Sequence, residues 1–222
     1  MTSNDQLWPG EDRAYRDARN ALLEAELALR EQVERVAALR RELPPGGLAN
    51  DYLFEGASGP ISLVQLFGDH DTLIVYSYMF GADASQPCPM CTAYLDSVEG
   101  SIPHIERRAR FAVVARSPLD RLLKIRAARG WRNLNLYSAA GNDYQRDYHG
   151  ETSEGEQLPM CNVFVKAADG VRHFWGSEML FARSPWAPRH LDLLWPLWHH
   201  FDLTPDGRGD FMPSLSYTAE GD

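Results

Sequence analysis

Apolar and polar positions along the chain fall into three kinds of pattern. From Glu11 to Leu43 there is neither Gly nor Pro, and Tyr15, Ala18, Leu22, Ala25, Leu29, Val36, Leu39 and Leu43 follow a 3-4 repeat interrupted at Gln32. This predicts one long charged helix, roughly 50 Å at about 1.5 Å per residue. Its apolar seam suits either its own domain or a second subunit. Pro44-Pro45-Gly46-Gly47 ends the helix. Asp51 to Phe67 then predicts two short strands around a Gly56–Gly59 turn and a brief helix.

In the second pattern the apolar run becomes continuous. Leu73 to Tyr76 with Tyr78, Met79 and Phe80, and later Phe111 to Ala115, are short and rich in β-branched or aromatic residues. Such runs predict strands covered on both faces. Between them a helix is expected from Cys88 to about Arg108, carrying His104 three turns along. Ser117-Pro118-Leu119-Asp120 predicts a further helix with a Ser cap and Pro first, and Gly130 its stop.

The third pattern is alternation with turn signals. Asn133 to Ser138 predicts a strand, followed by a polar loop from Ala139 to Leu158, a length more often functional or mobile than filler. Asn162 to Lys166 and Val171 to Trp175 predict a hairpin about Asp169-Gly170. A last helix is expected over 187–201, kinked at Pro196, and then a polar surface tail. The expected organisation is a loose arm over 1–10, helix and linker over 11–47, one α/β domain over 48–203, and a tail over 204–222. A β-α-β unit must cross over right-handed, and the hairpin then adds antiparallel strands to make a mixed sheet.

Composition narrows the function classes. At 222 residues the chain supports one well-buried domain plus an appendage. A net charge of −9 argues against nucleic acid or an anionic membrane as partner, since both demand clustered cations. No apolar run approaches a membrane span and no basic-then-apolar leader opens the chain, so a cytoplasmic protein is expected.

Candidate chemistry lies in Cys88-Pro89-Met90-Cys91, between a buried strand and a helix start. Pro89 suits the first helical turn, which leaves Cys88 at the cap. There, unpaired amides and the helix dipole favour thiolate, and can lower a cysteine pKa from ~8.5 towards ~3.5–7.5. The i,i+3 spacing puts Cys91 on the same side, within the roughly 5.5 Å Cα separation a disulfide prefers. Cys88 would attack and Cys91 resolve. The alternatives are a metal-binding or redox-sensor module completed by Cys161, or simply buried thiols in a non-catalytic interaction protein. Asp83 is a candidate proton relay to Cys91 or an ordinary loop carboxylate. His199-His200 reads as surface, and Trp131, Trp175, Trp186, Trp195 and Trp198 as core or interface.

The element order, with CxxC on the first helix after the central strand and Leu158-Pro159 ahead of the hairpin, resembles the thioredoxin fold. The stretch from Asp51 to Tyr78 is similar to the lead-in of its peroxiredoxin-like and thiol-reductase branches. More closely, the chain from about residue 20 to 215 resembles a bacterial thioredoxin-like family catalogued as a domain of unknown function. The residues that carry this likeness are Arg40-Arg41-Glu42-Leu43-Pro44, Met79-Phe80-Gly81, the CPxC site, Gly130-Trp131 and Ser138 to Tyr144.

The resemblance implies dithiol redox competence; no cofactor or bound metal is expected, and the expected substrate is a disulfide-containing protein or a small thiol. The resemblance also implies that Pro159, with Met160, lies against the dithiol as a substrate-binding segment, the alternative being an ordinary strand-edge proline. A peroxiredoxin expects Pro seven residues before its reactive cysteine, where Gly81 stands here, and Ser or Thr three before it, where Ser85 stands. Peroxide reduction is therefore disfavoured. Pro87 replaces the tryptophan that precedes the cysteines in thioredoxins, so the docking surface should differ. A homodimer through the N-terminal helix is expected.

Overall fold

The computed structural model describes residues 7–182 and 189–217, without the side chain of His190. The chain forms two compact units, divided between Pro44 and Pro45. The first is a single helix, α1 (Arg13–Arg41). Asp12 caps it, accepting from the Tyr15 N–H at 2.8 Å, and Arg40 and Arg41 sit in its last turn, where the helix dipole favours cations. None of its residues is buried.

In the second unit, β1 (Leu53–Gly56) and β2 (Gly59–Ser62) form a hairpin, and Gly59 takes φ +109° in its turn. Ser62 and Gln65 make a reciprocal capping box for α2 (Leu63–Leu66). The chain continues through β3 (Thr72–Ser77), α3 (Pro89–Glu99), α4 (Ile102–Ile105), β4 (Arg110–Ala115) and α5 (Leu119–Arg129). It is completed by β5 (Leu136–Ser138), α6 (Tyr144–Asp147), β6 (Cys161–Ala167), β7 (Gly170–Gly176) and α7 (Pro196–Asp202).

The seven strands form one sheet in the order β2-β1-β5-β4-β3-β6-β7. β3 runs parallel to β4 and antiparallel to β6, and β6 pairs antiparallel with β7. The sub-order β4-β3-β6-β7, with two parallel strands joined through a helix and a closing hairpin, is the thioredoxin-like fold. Parallel β5 and the β1-β2 hairpin extend it at one edge.

β3 is central because both of its faces are apolar. Tyr76 joins Tyr94, Leu95, Trp131, Trp195 and Trp198 in one core layer; Leu73 and Val75 join Phe54, Phe67, Val114 and Phe164 in the other. Alternation along the strand produces this split.

Several element boundaries differ from expectation. The cysteine helix ends at Glu99, since Gly100 closes it and Pro103 opens the separate turn α4 that carries His104. α5 starts at Leu119 with Pro118 at its cap, while Ser117, wholly buried, makes no capping bond. Gly130 does stop that helix, in the left-handed conformation at φ +70°. Pro196 opens α7 instead of kinking a longer helix, because a missing N–H costs nothing at the first helical position. The 139–158 loop contains α6 and a small bridged loop, Glu151 to Gln157.

Trp131, Trp195 and Trp198 are buried and Trp175 is half-buried; Trp186 and the expected helix start at 187 lie outside the described residues. The C-terminal segment lies on the surface and is tied down: Arg129 donates to the Leu215 carbonyl at 2.8 Å, and the Tyr217 hydroxyl donates to Asp96 at 3.0 Å. Among the described residues no helix is long and apolar enough to cross a membrane.

Candidate active site

The site is built where β3 ends. After Ser77 the backbone stays attached to the sheet through Tyr78 N–H to the Val114 carbonyl at 2.8 Å, then turns through residues 80–87 towards α3. Arg121, in the first turns of α5, holds this turn: its guanidinium lies 4.4 Å from the Phe80 ring centroid and donates to the carbonyls of Ala82, at 2.6 Å, and Ala84. Cys88 N–H then donates to the Met79 carbonyl at 3.0 Å, which returns the chain to the strand it left.

Cys88 is the N-cap of α3 in extended conformation, φ −60° and ψ 124°, with Pro89 in the first turn. The neighbouring Cys91 thiol, above all, and the amides of Met90 and Cys91 at the helix start outweigh partial burial and lower the Cys88 pKa from 9.0 to about 6.

Cys91 is buried, and burial together with the neighbouring Cys88 sulfur pushes its thiol well above the usual range. The opposing influences are two donors to the Cys91 sulfur, the Tyr76 hydroxyl and the Met79 N–H. The two cysteines are unbridged. Thr92 fixes the first turn of α3, its hydroxyl donating to the Cys88 carbonyl at 2.9 Å and meeting Tyr78 Oη at 2.7 Å.

A cleft of about 690 Å³ opens above Cys88, lined among others by Met79, Gly81, Asp83, Arg116, Glu151 and Gln157. Arg116, just past the end of β4, is its structural bolt. The guanidinium pairs with Glu151 at 2.5 Å and donates to the carbonyls of Ala139 at 3.0 Å and Asn142 at 2.8 Å.

The sequence candidates are brought together unevenly. Cys88 and Cys91 share one site. Pro159 is buried just before β6, and Met160, also buried, accepts from Ser77 N–H at 2.7 Å through its carbonyl, so this segment runs beside the end of β3. Cys161 pairs in register with Tyr76 and is buried, which raises its thiol to about 12.

Among the described residues no three His, Cys, Asp or Glu side chains are gathered as metal ligands. Cys161 lies in the core, on β6 beside the end of β3. Asp83 is exposed on the rim of the cleft, while the polar group at Cys91 is Tyr76. Tyr76, Arg116, Arg121 and Glu151 escape sequence reasoning. The available signal was position, since residues at and after the carboxyl ends of strands line the ligand crevice of open α/β sheets.

The fold and the paired cysteines together define a thioredoxin-fold protein with a dithiol at its first helix after the central strand. A family model described as bacterial protein of unknown function (DUF899) matches residues 7–220, and the chain belongs to that family. No curated protein matches it.

Similar solved structures include a peroxiredoxin-like protein from Aquifex aeolicus, with 14% identity over 61% of this chain and 75% of that one, at TM-score 0.43. A PrxQ variant from Xylella fastidiosa shows 13% identity over 61% and 85%, at TM-score 0.48. The exposed lipoprotein thioredoxin of Streptococcus pneumoniae shows 13% over 51% and 80%, at TM-score 0.39.

Proposed function

We propose that the protein is a thiol-disulfide oxidoreductase in which Cys88 is the nucleophile and Cys91 the resolving thiol. The observation that carries this reading is the position of Cys88 at the N-cap of α3, with Cys91 one turn along the same helix; the neighbouring thiol and the amides of the first turn lower its pKa to about 6. At neutral pH such a cysteine is thiolate while its partner keeps its proton.

In the first step Cys88 thiolate attacks a substrate disulfide. A Cys88–substrate disulfide forms, and the other half leaves as thiolate and takes a proton from water. That bond removes the negative charge beside Cys91, one of the influences holding its proton on. With that charge gone, the Tyr76 hydroxyl and the Met79 N–H stabilise the Cys91 thiolate as it forms. It displaces the second half, leaving a Cys88–Cys91 disulfide. Two electrons pass from dithiol to substrate, and a reducing compartment such as the cytoplasm would restore the dithiol. The Pro159-Met160 segment is the proposed backbone surface for the bound substrate.

The test is a pair of variants. Cys88→Ser should abolish reduction of a small disulfide, while Cys91→Ser should stop after one step with the substrate covalently attached, seen as an added mass. Equal activity of both variants would refute the assignment.

The seam of α1 is proposed to join two copies of the chain, a reading supported by the exposure of Leu22, Leu29 and Leu39. Sedimentation equilibrium giving twice the chain mass, reduced to one by Leu22→Glu with Leu29→Glu, is the expected result. A monomeric wild type removes this part.

A further inference from the structure

We infer that the cleft above Cys88 selects small disulfides carrying positive charge next to the sulfurs, such as disulfides of aminothiols. This rests on the dithiol reading above and names its substrate class. Two independent features meet at one place: a cavity of about 690 Å³ open to the nucleophilic sulfur, and a lining whose uncompensated charge is negative. The volume is that of sites for small molecules, which run from about 300 to 1,000 Å³.

The charge follows from counting partners. Among the described residues the lining carries Asp83, Glu151 and Glu154 against one basic residue, Arg116. Arg116 is already spent: its Nε pairs with Glu151, and Nη1 serves the carbonyls of Ala139 and Asn142. Arg121, close by, is likewise turned to the carbonyls of Ala82 and Ala84. Among the described residues, Asp83 and Glu154 pair with no cation.

Both carboxylates stand on held backbone. Asp83 lies between the two carbonyls that Arg121 grips. Glu154 lies in a loop closed by Thr152 N–H to the Glu156 carbonyl at 2.8 Å, and accepts from the Ser153 hydroxyl at 2.7 Å. A carboxylate-bearing disulfide entering here meets two like charges and, among the described residues, no cation without a partner. An ammonium-bearing one meets two opposite charges, within a protein whose overall charge of −9 also attracts it. With cystamine the balance is one disulfide and two protein thiols giving two molecules of cysteamine and the Cys88–Cys91 disulfide.

The experiment uses the reduced full chain and three disulfides: cystamine, bis(2-hydroxyethyl) disulfide and 3,3′-dithiodipropionate. Single-turnover rate constants at pH 7 are each divided by the rate constant of the same disulfide with free mercaptoethanol, which cancels intrinsic reactivity. For two carboxylates facing a charge within a cleft of this size, screened Coulomb attraction gives a normalised cystamine-to-dithiodipropionate ratio of roughly tenfold at low ionic strength. The ratio should fall to about twofold at ~0.5 M salt, where the Debye length shrinks to about 4 Å.

Asp83→Asn with Glu154→Gln should lower the low-salt ratio to a similar value. Equal normalised rates at low salt, or a preference for the anionic disulfide, overturn the charge selection and leave the dithiol reading standing. If none of the three forms the Cys88–Cys91 disulfide, the dithiol reading fails and this inference goes with it.

Discussion

Removing the Cys91 thiol tests the electrostatics of the site most directly, because that thiol is the largest influence lowering the Cys88 pKa. In Cys91→Ala the Met90 and residue-91 backbone N–H groups remain and only the S–H donor is lost. A hydrogen bond to a charged acceptor contributes about 1.5–3 kcal/mol, and one pKa unit corresponds to about 1.4 kcal/mol. The Cys88 pKa should therefore rise by about 1–2 units from its value near 6.

The functional difference is largest in acid. At pH 5 a thiol of pKa 6 is about one-tenth ionised, and one of pKa 9 about one ten-thousandth, a ratio of roughly 1,000 that falls to about 50 once lower intrinsic nucleophilicity is included (β about 0.45). At pH 7 the same correction leaves an advantage of only about fivefold. The assay is thiolate absorbance near 240 nm and iodoacetamide alkylation across pH 4 to 10, on the wild type and on Cys91→Ala. A wild-type inflection at 8.5 or above, or one that Cys91→Ala leaves in place, would refute the reasoning.

The same shift predicts a stability profile. Folding lowers the Cys88 pKa, so its contribution is fully present above the unfolded value near 9 and is lost as pH falls through about 6. Relative to Cys88→Ser, the reduced protein should gain melting temperature between pH 6 and 9.

Two further outcomes follow from particular contacts. Tyr76→Phe removes the hydroxyl at the Cys91 sulfur and should slow breakdown of the mixed disulfide by roughly fivefold, one hydrogen bond's worth of about 1 kcal/mol. Rapid-quench mass spectrometry reads that step; an unchanged rate there, with Cys88 alkylation also unchanged, excludes Tyr76 as a positioning residue. Gly150→Ala would place a Cβ 2.2 Å from Gln145 Oε1 and 2.7 Å from Ser77 Oγ, a buried pair hydrogen-bonded at 2.7 Å. Overpacking of that kind costs about 1–3 kcal/mol, and an unshifted urea midpoint would show that the pair yields freely.

What could be read from the chain was local. Apolar runs announced β3 and β4, Asp169-Gly170 announced the hairpin of β6 and β7, and Pro89 placed Cys88 at a helix start. What could not be read depends on contacts between distant segments. Glu99 reads as one more polar position on a helix expected to run on to about Arg108. Yet its carboxylate accepts the N–H groups of Arg132, Asn133 and Leu134 at 2.6–3.0 Å, fixing the turn after α5. Arg116 and Arg121 read as ordinary charges flanking a helix, and only the fold carries them to carbonyls more than twenty residues away. Tyr76 was assigned correctly to an apolar strand, but pairing with Cys161 on one side says nothing of the sulfur its hydroxyl meets.

Beyond its contact with the Phe80 ring, Arg121 grips the stretch before the cysteines by main-chain oxygens. Because every amino acid supplies the same oxygen, the exposed side chains at 82 and 85 are free to be exchanged while the anchor stays in place, and Ala84 keeps its seat against the core. The segment behaves as a replaceable cassette, and swapping its residues offers a route to retuning what reaches the sulfur without rebuilding the scaffold.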